Sequence, residues 1–168
     1  AGLQVLEREK LVFETNPNNQ PDLSKYEYVV ERFLKPEPRR DVVDFLNKTG
    51  IVPTSMIDIS DGLSSEILHI CRQSKVGVRL YEEKLCFHDQ TIEVAQELNL
   101  DPALFALNGG EDYELLFTVP LSDAQKISSI PLVSIIGHIT KESTGRFFVT
   151  KSGQETELLA QGWNTLRK

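Results

Sequence analysis

Apolar positions along the chain switch repeatedly between a helical and a strand period, and the switches outline a series of short elements. Residues 2–10 read as a helix, and Asn16-Pro17-Asn18-Asn19-Gln20-Pro21 reads as a loop, because Pro lacks an amide donor and Asn favours turns. Tyr26, Val29, Val30, Phe33 and Leu34 then recur at i, i+3, i+4, i+7 and i+8, the stripe of an amphipathic helix that Pro36 and Pro38 end. A shorter helix is predicted over 41–48, stopping at Gly50, and a strand over 52–58. From Asp61 the set Leu63, Ile67, Ile70 and Cys71 returns to a helical period. Beyond it the pattern predicts a strand over 76–81, a helix over 91–98, a helical turn over 102–107 and a strand over 113–119. In that strand Tyr113, Leu115, Phe117 and Val119 share one face. A helix over 122–129 and strands over 132–136 and 146–150 complete the chain before Gly162-Trp163.

This order of helices and strands with short connections predicts an α+β (mixed α/β) fold, a mixed sheet flanked by helices. With 168 residues, 40% hydrophobic and 26% charged, one globular domain is the default. Lys plus Arg number 18 against 25 Asp plus Glu, a net charge of −7, and no basic stretch tracks a phosphate backbone, so nucleic acid is not an expected partner. The apolar runs fall far short of the roughly 20 residues of a spanning helix, and no signal-peptide pattern opens the chain. A cytoplasmic protein without membrane contact is expected. Cys71 and Cys86 form no C-x-x-C pair, and His69, His88 and His138 lack zinc-ligand spacing, so reduced thiols and no structural zinc are expected.

The candidate chemistry sits where the periodicity breaks. Asp58-Ile59-Ser60-Asp61-Gly62-Leu63 and Asn108-Gly109-Gly110-Glu111-Asp112-Tyr113-Glu114-Leu115 each set carboxylates against glycine. Acids without matching bases repel a nucleotide, so two such clusters act on phosphate only through a divalent metal between them. Asp58 at a strand end and Asp61 at a helix start can aim both carboxylates at one magnesium ion. Ser60 and the free N–H groups of the helix face the same place, where an anion is stabilised. In an isolated D-x-S-D, Asp61 or Ser60 is more often a helix cap. Gly109-Gly110 permits close backbone approach, yet alone it reads as an ordinary turn with solvated acids. Glu114, on the other face of its strand, needs solvent or a partner. Trp163 offers an aromatic plane for a heterocycle or a cation, although a lone Trp is usually core. Arg39 and Arg40 could pin a phosphate but more often stay solvated, and His69 and His138 read as structural.

No P-loop, no dinucleotide G-x-G-x-x-G after a strand, no protein-kinase catalytic loop and no G-x-S-x-G elbow is present. Phosphoryl transfer would then rest on alignment and on magnesium neutralising charge.

The order D-x-S-D-G-L followed by G-G-E-D-Y-E-L resembles the C-terminal half of thiamine-monophosphate kinase, in the wider family of aminoimidazole-ribonucleotide synthetase-like proteins. The resemblance extends to Arg32-Phe33-Leu34-Lys35-Pro36-Glu37-Pro38-Arg39, Ile136-Gly137-His138-Ile139 and Gly162-Trp163. It implies ATP-dependent conversion of thiamine monophosphate to thiamine diphosphate by direct in-line, Mg2+-dependent transfer. Asp58 and Asp61 are then magnesium ligands, Ser60 an ATP-phosphate contact, and Glu111 and Trp163 thiamine-monophosphate contacts. Residues 1–16 are expected to end an upstream ATP-binding domain's last helix and linker, and 17–168 to form the C-terminal substrate- and magnesium-binding domain. The full-length protein is expected to be a homodimer and this fragment alone inactive. The rival readings are another ATP-dependent superfamily member acting on a purine precursor, and a non-catalytic thiamine-phosphate-binding module.

Overall fold

A computed structural model describes residues 1–18, 20–131 and 133–160. In chain order the elements are α1 (Gly2–Thr15), α2 (Glu27–Leu34), α3 (Arg40–Thr49), β1 (Ser55–Asp58), α4 (Leu63–Ser74), β2 (Val76–Tyr81), α5 (Asp89–Glu97), α6 (Pro102–Asn108), β3 (Leu115–Thr118), α7 (Ala124–Ser128), β4 (Gly137–Lys141), β5 (Arg146–Val149) and β6 (Glu155–Glu157). The fold is α+β, as the periodicity predicts, with its strands divided between two sheets. One is the antiparallel pair β1–β3, and the other is mixed, in the order β4-β2-β5-β6 with β2 and β5 parallel.

The local chemistry explains the elements. On α3, Val42 and Leu46 lie one turn apart and are both buried, and the helix stops at Gly50, whose φ of +67° suits the left-handed cap. Asp101 caps α6 by accepting the Ala103 N–H at 2.8 Å, with Pro102 in the first turn. His88 caps α5 by accepting the Gln90 N–H, and its ring stacks on Tyr28 with centroids 3.6 Å apart. β2 is one of the two inner strands of the mixed sheet, with Val78 and Leu80 almost wholly buried.

Three apolar clusters hold these pieces. The first packs Leu63, Ile67, Ile70 and Cys71 of α4 against Val78 and Leu80 of β2 and Leu116 of β3. The second joins Val42 and Leu46 to Ile51, Ile127 and Ile130, with Leu115 and Phe117 laid against it. β3 therefore feeds both cores, alternate side chains going to opposite faces. The third fixes α1 to the helical side, where Val5 packs with Tyr26, Val29 and Val94.

Two strand assignments differ from the sequence reading. The strand predicted over 132–136 begins instead at Gly137; residues 133–136 are not strand, and Val133 and Ile136 pack on the clusters. The ladder starts where a side chain would not fit, since a Cβ on Gly137 would stand 2.3 Å from the Arg79 carbonyl oxygen of β2. β6, with the polar sequence Glu-Thr-Glu, carries no apolar alternation and pairs only through its backbone with β5.

Lys25, the Tyr26 hydroxyl and Arg8 converge on Glu97, tying α1 and the start of α2 to the end of α5. These partners, Lys25 foremost, then Tyr26 and Arg8, hold the Glu97 carboxyl down to about 2, against an ordinary 4.5. A carboxyl depressed in the folded state contributes stability above its unfolded pKa and loses it as pH falls through the folded value. Solvent screening makes the contribution modest. Glu97→Gln is expected to lower the urea midpoint at pH 7 and to flatten its decline between pH 4.5 and about 2. An acid limb as steep as the wild type's would exclude this network as its source.

Candidate functional site

The two acid–glycine segments, some fifty residues apart in sequence, are one structure. β1 and β3 pair from Ser55↔Thr118 to Asp58↔Leu115, and the ladder runs on past both strands. The Ile59 N–H donates to the Glu114 carbonyl, the Tyr113 N–H to the Ile59 carbonyl and the Glu111 N–H to the Ser60 carbonyl, each at 2.8 Å. Glycine makes the contact close enough: a Cβ on Gly110 would lie 2.4 Å from the Ser60 carbonyl oxygen, and one on Gly62 2.8 Å from that of Leu107.

Following this path bends the second segment. Glu111 and Tyr113 have φ of +66° and +52°, left-handed backbone that costs a non-glycine residue about 1–3 kcal/mol. Tyr113 consequently leaves the strand in which the alternation placed it, and β3 begins at Leu115. Its hydroxyl donates to Glu111 Oε2 at 2.7 Å. That hydrogen bond and the charge of Glu111 raise the phenol above its ordinary pKa, with Asp58 adding to the effect, so both segments' carboxylates act on one ring.

Asp58 is exposed at the end of β1, where the alternation turns Ile57 inward and Asp58 outward. Asp61 is exposed in the following turn. Neither Asp61 nor Ser60 caps α4: Gly62 holds the cap position at φ +111°, and the reach-back comes from the helix. Glu66, 2% exposed, accepts the Asp61 N–H on Oε1 at 3.1 Å and the Ser60 hydroxyl at 3.5 Å. Its Oε2 is buried without a partner among the described residues. Sequence reasoning passed over Glu66, although an acid one turn into a helix that follows D-x-S-D-G resembles a displaced capping box.

It also left Glu114 without a partner. Arg32 donates to Glu114 Oε1 at 2.5 Å and Arg39 to Oε2, while Arg39 holds Asp41 as well. Arg39 is thus occupied by protein carboxylates, and the segment between α2 and α3 is tied to the strand beside the acidic loop. Asp112 is exposed as a residue, yet its carboxyl sits in dense surroundings, and that loss of solvation pushes it up to about 6. The Ala1 amine and Arg32 oppose this, and Glu114 adds to it. Behind the turn is a mostly apolar cavity of about 770 Å³, lined by Ile59, Leu63, Leu116 and Ile136 together with Asp112 and Glu114.

The structure thus brings side by side the backbone segments that bear Asp58, Ser60, Asp61 and Glu111. Trp163 lies outside the described residues. His69 is exposed on α4, and His138 stacks with Tyr81 on the mixed sheet. Cys71 is buried and Cys86 exposed, and the two are not joined to each other. Among the described residues no three His, Cys, Asp or Glu side chains gather into a metal cluster, and no helix is long and apolar enough to cross a membrane. The donor set still fits magnesium in part: Asp58 and Asp61 are hard oxygen donors, in no ion pair among the described residues, beside a helix N-terminus that favours phosphate. Magnesium takes one or two carboxylates and completes its shell with water and phosphate.

Comparison with known proteins places this geometry in context. The family model for AIR synthase related protein, C-terminal domain, matches residues 2–150. The thiamine-monophosphate kinase of Escherichia coli (strain K12) is 32% identical over 175 aligned residues, covering 98% of this chain and 48% of its own length. That of Methanopyrus kandleri is 36% identical over 115 residues, covering 68% of this chain and 36% of its own. The chain therefore spans less than half the length of these relatives. The Aquifex aeolicus thiamine monophosphate kinase superposes with a TM-score of 0.70 over 93% of this chain. A structure of AaThiL complexed with AMPPCP and TMP gives 0.73 at 26% identity, covering 98% of this chain and 47% of that one.

If the close approach of Gly110 to Ser60 holds the two segments together, Gly110→Ala forces them apart. The expected result is a loss of about 1–3 kcal/mol in denaturant unfolding and faster hydrogen exchange at the Glu111 amide. Wild-type protection at that amide would show that the loop tolerates separation.

Proposed function

The chain belongs to the AIR synthase related protein, C-terminal domain family, and on that premise we propose that it is the C-terminal half of a thiamine-monophosphate kinase. In this reading ATP gives its γ-phosphoryl group in line to the phosphate of thiamine monophosphate, releasing ADP and thiamine diphosphate. The observation that carries the proposal is the meeting of the segments that bear Asp58, Ser60, Asp61 and Glu111, held by backbone hydrogen bonds that run on from the β1–β3 pair. Caps and solvated turns do not need two distant segments locked at glycine contacts.

Asp58 and Asp61 would hold Mg2+, and Ser60 would contact an ATP phosphate. Glu111 would receive the pyrimidine amino group of the acceptor, and Trp163 would present its ring to the same substrate. The metal, when bound, neutralises phosphate charge that these acids would otherwise repel. Because Gly62 holds the cap position of α4, the Asp61 carboxylate is not consumed in capping that helix and would stay open to a cation.

The AaThiL complex with AMPPCP and TMP supports ATP and thiamine monophosphate as the ligands of this chain. Since the matched kinases are more than twice as long, activity is proposed to need their other half, an ATP-binding domain. Residues 1–16 would end that domain's last helix and its linker, with 17–168 as the substrate and magnesium domain of a cytoplasmic homodimer.

The test is thiamine diphosphate formation by the whole polypeptide that carries these residues, by its Asp58→Asn variant and by the 168-residue chain alone. Product is expected from the first, reduced on the order of 100-fold or more in the variant, and none from the chain alone. Thiamine monophosphate binding without product would replace the kinase by a sensor, and turnover by the isolated chain would refute the need for a second half.

A further inference from the structure

Glu66 is a buried acid whose bonds all point at the candidate metal turn. It sits in the first turn and a half of α4, 2% exposed, beneath Ser60 and Asp61. Oε1 accepts the main-chain N–H of Asp61 and the hydroxyl of Ser60, and Oε2 has no partner among the described residues. A buried polar oxygen left unpaired works against stability. The position would be filled more comfortably by an apolar side chain of similar size, like the Ile67 and Leu68 that follow it. A carboxyl kept there despite that cost serves the turn rather than the core.

We propose that Glu66 is a positioning residue that fixes the Ser60–Asp61 turn for divalent-cation binding; the inference rests on the kinase reading of Asp58 and Asp61. Gly62, at φ +111° and packed on the Leu107 and Asn108 backbone, supplies no side chain to hold this turn. The Ser60 carbonyl is already engaged by Glu111. That carbonyl and the Asp61 N–H belong to one peptide group, so the bond to Glu66 holds from the inner side a peptide that Glu111 holds from the other, and together they fix its plane. With that N–H drawn inward, the Asp61 side chain is left at the surface, on the same turn as the exposed Asp58.

The experiment uses the whole polypeptide, titrated with Mn2+ alone and followed by loss of the free-ion EPR signal, with Asp58→Asn defining the site. Glu66→Met removes the acceptor and the unpaired oxygen at nearly constant volume, whereas Glu66→Gln keeps an acceptor oxygen. Glu66→Met is expected to melt at or above the wild-type temperature, yet to bind Mn2+ about tenfold more weakly and to exchange the Asp61 amide faster, while Glu66→Gln stays within about threefold. A purely structural residue would not separate stability from binding in this way. Unchanged Mn2+ affinity in Glu66→Met overturns the inference and leaves the kinase reading standing. Loss of binding in both variants in proportion to lost stability overturns it too. Absence of any Asp58-dependent Mn2+ binding in the wild type removes the metal assignment of the kinase reading and this inference with it.

Discussion

Everything at the acidic site depends on the register of β1 against β3. The two strands are short, and their pairing places Asp58 opposite Leu115. Because side chains alternate, this register puts Ile57 and Leu116 on the first core and Leu115 and Phe117 on the second. A slip by one residue would turn each set onto the wrong core, so two apolar clusters specify a backbone alignment that concerns neither of them. Once Asp58 faces Leu115, Ile59 is placed to bond Glu114 and Tyr113, and Ser60 to bond Glu111, as the second segment bends out of the strand register.

That continuation is not free of cost. Glu111 and Tyr113 occupy left-handed backbone, and several carboxylates share a small surface. The compensations are local and specific. Glycine stands where the chains come closest, at Gly62 and Gly110. Arg32 and Arg39 neutralise Glu114, the acid of the second segment that turns toward the protein. Glu66 takes the main-chain N–H of Asp61 and the hydroxyl of Ser60, holding the first turn from beneath. Asp58 and Asp61, the two acids that the kinase reading gives to a cation, stay outside these pairings, as do Glu111 and Asp112.

How much of this could be read from the chain follows from the range of the forces involved. Helices α3, α4 and α6 were legible because their signals are local: Leu63, Ile67, Ile70 and Cys71 in period, Gly50 as a stop, Asp101-Pro102 as a start. The acid–glycine segments stood out for the same reason, as breaks in period. What could not be read was set by partners distant in sequence. Glu155–Glu157 is a strand only because β5 offers it a backbone edge. In place of the strand predicted over 132–136, Gly137–Lys141 pairs with β2, and at its first residue the Arg79 backbone leaves room only for glycine. Glu114 and Arg39 each looked solvated alone, and neither could be paired before the fold brought 39 and 114 together. Glu66 had a local signal, but one that reads as an ordinary helix-start acid until its burial is known.

The exposure of the acids carries a further consequence for chemistry. Asp58, Asp61 and Glu111 are all exposed, whereas the cavity lined by Ile59, Asp112 and Glu114 lies behind them and is mostly apolar. Electrostatic stabilisation of a transferring phosphoryl group is strong only where water is kept out. On the kinase reading, these residues form one wall of a site, and the wall facing them has to come from the bound substrates and from the half of the matched kinases to which this chain does not align. A rigid wall with open carboxylates suits that division. On that reading the backbone bonds between the segments and Glu66 would fix where a cation sits before any substrate arrives, and closing the site would fall to whatever docks against it.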